Sequence, residues 1–121
     1  MPFVTIEVRR HWSDAEQTAI IEAVHAALVV AFGIPESDKN IRFVEHDAQR
    51  FAVSHLLTQP EFKTLVSIDC YSGRSVEMKQ TLYRELLHRL DAIGIPRDHV
   101  SIVLREASHE NWGGGISSSA E

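Results

Sequence analysis

One supersecondary unit, used twice, is written into this chain. Laying Pro2 on Thr64 (64 − 2 = 62) sets PFVTIEV over TLVSIDC and WSDAEQ over RSVEMK. The Gly-Ile-Pro at 33–35 then meets a second Gly-Ile-Pro at 94–96, now with 94 − 33 = 61, and NIRFVE (40–45) falls on SIVLRE (101–106). Recurrence of strand pattern, helix start, helix stop and following strand at a spacing constant to one residue is the mark of a duplicated structural unit.

Each copy reads as strand, helix, strand. FVTIEV (3–8) alternates with period two, the pattern of a strand buried on one side. IRFVEH (41–46), TLVSIDCY (64–71) and VSIVLREA (100–107) supply the other strands. Between Ser13 and about Phe32, residues Ile20, Val24, Ala27, Leu28 and Ala31 recur at helical spacing. Ser13 and Glu16 form a capping box, Asp14 adds negative charge to the first turn, and Gly33 with Pro35 ends the helix. A second helix is predicted from about Ser75 to Ile93, with Met78, Leu82, Leu86, Leu87 and Leu90 on one side and Gly94 and Pro96 at its end.

The expectation is one α+β domain over residues 1–121: a first repeat at about 2–46, a linker at 47–63, a second repeat at about 64–107 and a C-terminal tail at 108–121. Two βαβ units should form a four-stranded mixed sheet with two helices on one face. Strands 3–8 and 64–71 are rich in apolar residues, so the other face is expected to need cover. The tail, NWGGGISSSAE, is expected to be mobile unless something packs on it.

Charge and composition narrow the function classes. A net charge of −5 without a basic cluster argues against nucleic acid as a partner. The apolar run Ala26–Phe32 is too short to span a bilayer, and the N-terminus lacks a signal-peptide layout, so no membrane role is expected. Cys70 is the one cysteine; neither a disulfide nor a cysteine metal cluster can be built, and a reducing cytoplasm is the default setting. His11, His46, His55, His88, His99 and His109 show no metal-ligand spacing, and neither a metal nor another cofactor is expected.

Two residues invite chemistry on their own terms. Pro2 is a strand-start proline tolerated at a sheet edge or, once Met1 is removed, a secondary amine at the chain terminus. A free α-amine titrates near roughly 7.7–8; an apolar pocket or a nearby arginine lowers that value and a nearby carboxylate raises it. Arg74 precedes the cap of the second helix, Ser75, where a guanidinium fork beside unpaired helix N–H groups suits a carboxylate; the plain alternative is a solvated turn arginine. His25 lies beside the apolar side of the first helix and reads as a packed or half-exposed histidine. Cys70 reads as core.

The two βαβ units, the proline after the initiator methionine and GRSVEMKQTL (73–82) together resemble the tautomerase superfamily, whose small members are single βαβ units with an amino-terminal catalytic proline. EAVHAALVVAFGIPESD (22–38), SGRS (72–75) and HENWGGG (109–115) are most similar to its malonate semialdehyde decarboxylase-like branch. The resemblance covers nearly the whole chain. It implies Pro2, Asp38 and Arg74 as catalytic residues, Asp38 tuning Pro2 or orienting a water. It further implies Arg42 as a substrate-binding arginine, Trp112 as a pocket wall and a homotrimer that covers the outer sheet face. One departure stands out. The branch carries two arginines at the turn, where this chain has Ser72 and Arg74, so either the substrate is held differently or Arg42 or a neighbouring subunit supplies the second charge.

The resulting expectation is a cofactor-independent enzyme catalysing keto–enol tautomerisation of a small oxo-acid with Pro2 as the catalytic amine. Decarboxylation of malonate semialdehyde, or hydratase or dehalogenase chemistry with a cationic Pro2, is the alternative within the family. Outside it stand a ferredoxin-like ligand-binding or regulatory module without catalysis, which shares the βαββαβ order, and a tautomerase-like protein whose role is protein binding.

Overall fold

The computed structural model describes residues 2–114; Met1, whose removal bears on Pro2, and residues 115–121 of the tail lie outside them. The first unit is β1 (Phe3–Arg9), α1 (Asp14–Phe32) and β2 (Ile41–His46). The second is β3 (Thr64–Tyr71), α2 (Val76–Ala92) and β4 (Val100–Ala107). The sheet runs β2-β1-β3-β4, parallel within each unit and antiparallel where β1 meets β3. This is the expected four-stranded mixed sheet.

The repeat offset preserves which way side chains point, because 62 is even and strand side chains alternate. Val4, Ile6 and Val8 of β1 therefore match Val66, Ile68 and Cys70 of β3, and all six are buried in one core with α1 and α2. Ile20, Val24, Ala27 and Leu28 fill it from α1, and Leu82, Leu86 and Leu90 from α2. By length and composition α1 also fits a membrane span, with mean hydropathy of 1.4. In the fold its apolar side is spent on this core.

Helix ends follow the sequence signals closely. Ser13 accepts from the Glu16 N–H while the Glu16 carboxylate accepts from the Ser13 N–H, closing the capping box. Gly33 ends α1 in the left-handed region at φ 68°. At α2 the Ser75 hydroxyl accepts from Met78 N–H, and the Ile95 N–H returns to Leu90 O at 3.0 Å across Gly94, whose φ is 101°.

The outward sheet face is more polar than the overall strand composition suggests, yet it keeps apolar Phe3 and Val103 exposed. Alternation sends most apolar members of β1 and β3 to the helices, and the outward face carries Phe3, Thr5, Glu7 and Arg9 beside Leu65, Ser67, Asp69 and Tyr71. It is a mixed surface laced with pairs: Arg105 to Asp69, His46 to Glu7 and Arg42 to Thr5. The segment 47–63 contains two short helical turns, Ala48–Arg50 and Pro60–Phe62. It is pinned by buried His99, whose Nε2 accepts from Gln59 N–H at 3.1 Å and whose Nδ1 donates to Asp98 at 2.7 Å. The tail begins with a further turn, His109–Asn111, and Trp112 packs back on the sheet rather than leaving it.

Candidate active site

The strand directions decide where chemistry can gather. β1 and β2 begin, and β3 and β4 end, at the same edge of the sheet. That edge therefore collects Pro2 before β1, the loop before β2 with Asp38, the turn after β3 with Arg74, and the segment after β4 with Trp112. Residues far apart in sequence meet there because the two units are joined antiparallel.

Pro2 is buried, on the helix side of the sheet by the alternation that also buries Val4. The next residues fix its approach: Val4 N–H donates to Asn40 O at 2.9 Å, tying the start of β1 to the Asp38 loop. Within that loop Asp38 N–H donates to Pro35 O at 3.0 Å, and the Asp38 carboxylate accepts from the Asn40 side-chain amide at 2.9 Å.

Arg74 is held by three neighbours. Gly73, at φ 120°, makes the turn out of β3. Arg74 Nη1 donates to Tyr71 O at 3.3 Å, and its guanidinium lies 4.3 Å above the ring centre of Phe32, the last residue of α1. Cation and ring attract through the ring quadrupole. The side chain is thus clamped between the end of β3 and the end of α1, beside the first unpaired N–H groups of α2.

Trp112 reaches the same edge from the other side of the sheet. Its ring stacks on Phe3 at 5.2 Å and 13°, and meets Tyr71 at 4.9 Å; Tyr71 stacks on His109 at 4.0 Å. Under this aromatic wall lies a cleft of about 370 Å³ between Phe3, Trp112 and the Asp69–Arg105 pair. Arg105 grips Asp69 with two bonds, at 2.8 and 3.2 Å. Arg42 stands apart from the Arg74 side. It is exposed on the outer face, level with Thr5, and donates to the Thr5 hydroxyl at 2.9 Å.

The repeat gives a second, matching corner at the opposite edge, and there Trp12 occupies the place of Arg74. Trp12 is buried, stacked on His11 at 4.4 Å and against Phe62 at 5.5 Å. That corner is filled by aromatic rings, so the two halves, alike in backbone, carry different chemistry.

Phe3, Phe32 and the Asp69–Arg105 pair carry no signal in the sequence that marks them for the site. The outward direction of Phe3 was within reach, since even-numbered residues of β1 face the helices and an odd-numbered aromatic must point away. The Phe32 contact needs the α1 end placed against the turn after β3, which periodicity does not supply. Among the described residues no cluster of His, Cys, Asp or Glu could hold a metal ion.

The family model described as tautomerase enzyme matches residues 38–115, more than half of the chain. The chain belongs to the tautomerase family. It is 24% identical over 119 residues to the probable tautomerase YusQ of Bacillus subtilis strain 168, covering 95% of this chain and 94% of that one. Among solved structures, FG41 malonate semialdehyde decarboxylase inhibited by 3-bromopropiolate is 27% identical and superposes with a TM-score of 0.84, covering 96% of this chain and 91% of that one. The F6 fused 4-OT asymmetric trimer has the same fold, with a TM-score of 0.85 at 18% identity over 98% of this chain and 96% of that one. The protein is therefore an enzyme of the tautomerase superfamily.

Proposed function

We propose that this enzyme interconverts the keto and enol forms of a small oxo-acid, with the Pro2 amine moving the proton. The observation that carries the reading is the gathering of Pro2, the Asp38 loop and Arg74 at one edge of the sheet. Keto–enol exchange asks for little more than a base near neutrality and a cation where enolate charge develops. After Met1 is removed, Pro2 is a secondary amine, and its burial favours the neutral form that accepts a proton. Arg74 then binds the substrate carboxylate or the enolate oxygen, Asp38 opposes or tunes the effect of burial on Pro2, and Trp112 walls the substrate. Arg42, on the outer face, fits a role toward a neighbouring copy better than one in its own corner.

A homotrimer belongs to this reading. Solved relatives carry that assembly in their names, and the outer sheet face shows apolar Phe3 and Val103 among its ion pairs, as a semi-polar interface requires. Sedimentation equilibrium giving a monomer at micromolar concentration would remove the trimer from the account.

A second reading is decarboxylation of malonate semialdehyde with a cationic Pro2. The 27% identity to the FG41 enzyme over 96% of this chain favours it, and Ser72 in place of an arginine opposes it. Steady-state kinetics on the enol of phenylpyruvate and on malonate semialdehyde separates the two. Tautomerisation lost by about 100-fold or more in both Pro2→Ala and Arg74→Ala supports the proposal. Equal rates in all three proteins would refute the site.

A further inference from the structure

We propose that His25 is a positioning residue: its ring holds the loop that carries Asp38 at the edge of the active site. His25 lies on α1 with only 5% of its surface exposed. Its Nε2 is 2.8 Å from the backbone carbonyl of Glu36. A carbonyl oxygen can only accept, so Nε2 carries the hydrogen and donates it. Nδ1 is buried and has no hydrogen-bond partner among the described residues. The ring is therefore an Nε2–H donor committed to one acceptor, two residues before Asp38.

Elsewhere the loop from Gly33 to Asn40 is held by backbone bonds, by Ile34 packed in the core and by exposed contacts. Gly33 N–H reaches Val29 O, Asp38 N–H reaches Pro35 O, and Asn40 O receives Val4 N–H from β1. Outside, Lys39 pairs with Glu22 one turn before His25 on α1, but that pair is solvent-exposed and exposed pairs contribute little. The His25 bond is the buried tie between the middle of the loop and α1. Without it the Glu36 carbonyl loses its side-chain partner, and the stretch between core-packed Ile34 and β1-bound Asn40 loses its tie to α1 through His25. Asp38 lies between those anchors, so its carboxylate is the group whose placement suffers.

The inference rests on the proposed role of Asp38 beside Pro2, and its test is arranged so that the two can fail separately. His25→Leu keeps the bulk and removes the donor; His25→Gln offers an amide N–H at nearly the same reach. In the full-length protein, kcat for the enol of phenylpyruvate is expected to fall about tenfold in His25→Leu with KM changed less, and to return to within about twofold in His25→Gln. The pH midpoint of the 15N-Pro2 signal should move in His25→Leu and not in His25→Gln. Glu22→Ala should leave both unchanged. Should His25→Leu not fold, His25→Asn, whose amide is too short to reach the carbonyl, takes its place. A folded donor-less variant with wild-type kcat and an unmoved Pro2 midpoint overturns the inference, as does a Gln variant as impaired as the Leu variant. If Pro2→Ala proves fully active, the Pro2 reading has failed instead. The backbone amide shifts of residues 36–40 then decide for His25: displaced in His25→Leu and restored in His25→Gln, or unmoved in both, which overturns it.

Discussion

Replacing Gly73 by alanine isolates the backbone strain that aims Arg74. Gly73 sits at φ 120°, a region that residues with a side chain rarely adopt, yet a Cβ built there would meet nothing within 4 Å. The cost is thus conformational and not steric. Holding a non-glycine residue in such a region costs about 1–3 kcal/mol. Against that, alanine stiffens the unfolded chain, returning roughly 0.4–1 kcal/mol. With each effect at the middle of its range, a net loss of about 1.3 kcal/mol follows. Gly113 supplies the control, since its Cβ would also meet open space but no positive φ constrains it. Gly113→Ala should remain within about 0.5 kcal/mol of the parent. In urea, with a slope of about 2 kcal/mol/M, Gly73→Ala lowers the midpoint by about 0.5–1 M. Protomer concentration must be held constant, because assembly would add to apparent stability. The turn has one escape, which is to relax its φ, and that would lift Arg74 off the Phe32 ring and lower kcat/KM. Equal midpoints for the two alanine variants, with activity intact in both, would refute the strain argument.

The remaining predictions concern other joints of the same structure. Hydrogen bonds from the backbone and hydroxyl of Ser13 hold the Glu16 carboxyl below its usual range. Its contribution to α1 is therefore complete above the ordinary glutamate range and lost as pH falls through the lowered folded value; a stability–pH profile with a shallower acid limb in Glu16→Gln checks this. Burial pushes the Cys70 thiol up, so a thiol reagent near neutral pH should leave the native protein unlabelled and react fully in denaturant; rapid native labelling would contradict the burial. Ser75→Ala should cost about 1 kcal/mol by removing the cap of α2, measured by urea unfolding. Trp112→Ala removes the stack on Phe3 and the tilted contact with Tyr71, worth about 0.5–1.5 kcal/mol each, and should raise KM for an oxo-acid more than it lowers kcat.

Fold and site were legible in the sequence to different degrees. All four strands and both helices could be placed to within a residue or two at their ends, because alternation, Ser caps and Gly-Pro stops are local signals. The way the outer face is composed was not foreseen. Counting apolar residues in 3–8 and 64–71 misses that alternation sends Val4, Ile6, Val66 and Ile68 inward and leaves Thr5, Glu7 and Asp69 on the outer face. The site was legible where the sequence signal is a turn, as at Gly73 to Ser75. It was not where the contact is tertiary. The approach of Phe32 to Arg74 and of Phe3 to Trp112 depends on which sheet edge each element reaches. His25 shows the same limit: the sequence leaves it packed or half-exposed, and its bond to Glu36 O depends on how the chain doubles back after Gly33.

The central claim is that Pro2 is an amine that accepts a proton near neutrality, and a pH titration of 15N-labelled Pro2 in the native enzyme tests it most directly. A single titration is expected, with a midpoint below the roughly 7.7–8 of an ordinary α-amine, shifted down by burial. A midpoint well above that range would make Pro2 a cation at neutral pH and contradict the tautomerase mechanism. So would a Pro2 nitrogen that does not titrate at all because Met1 is still attached.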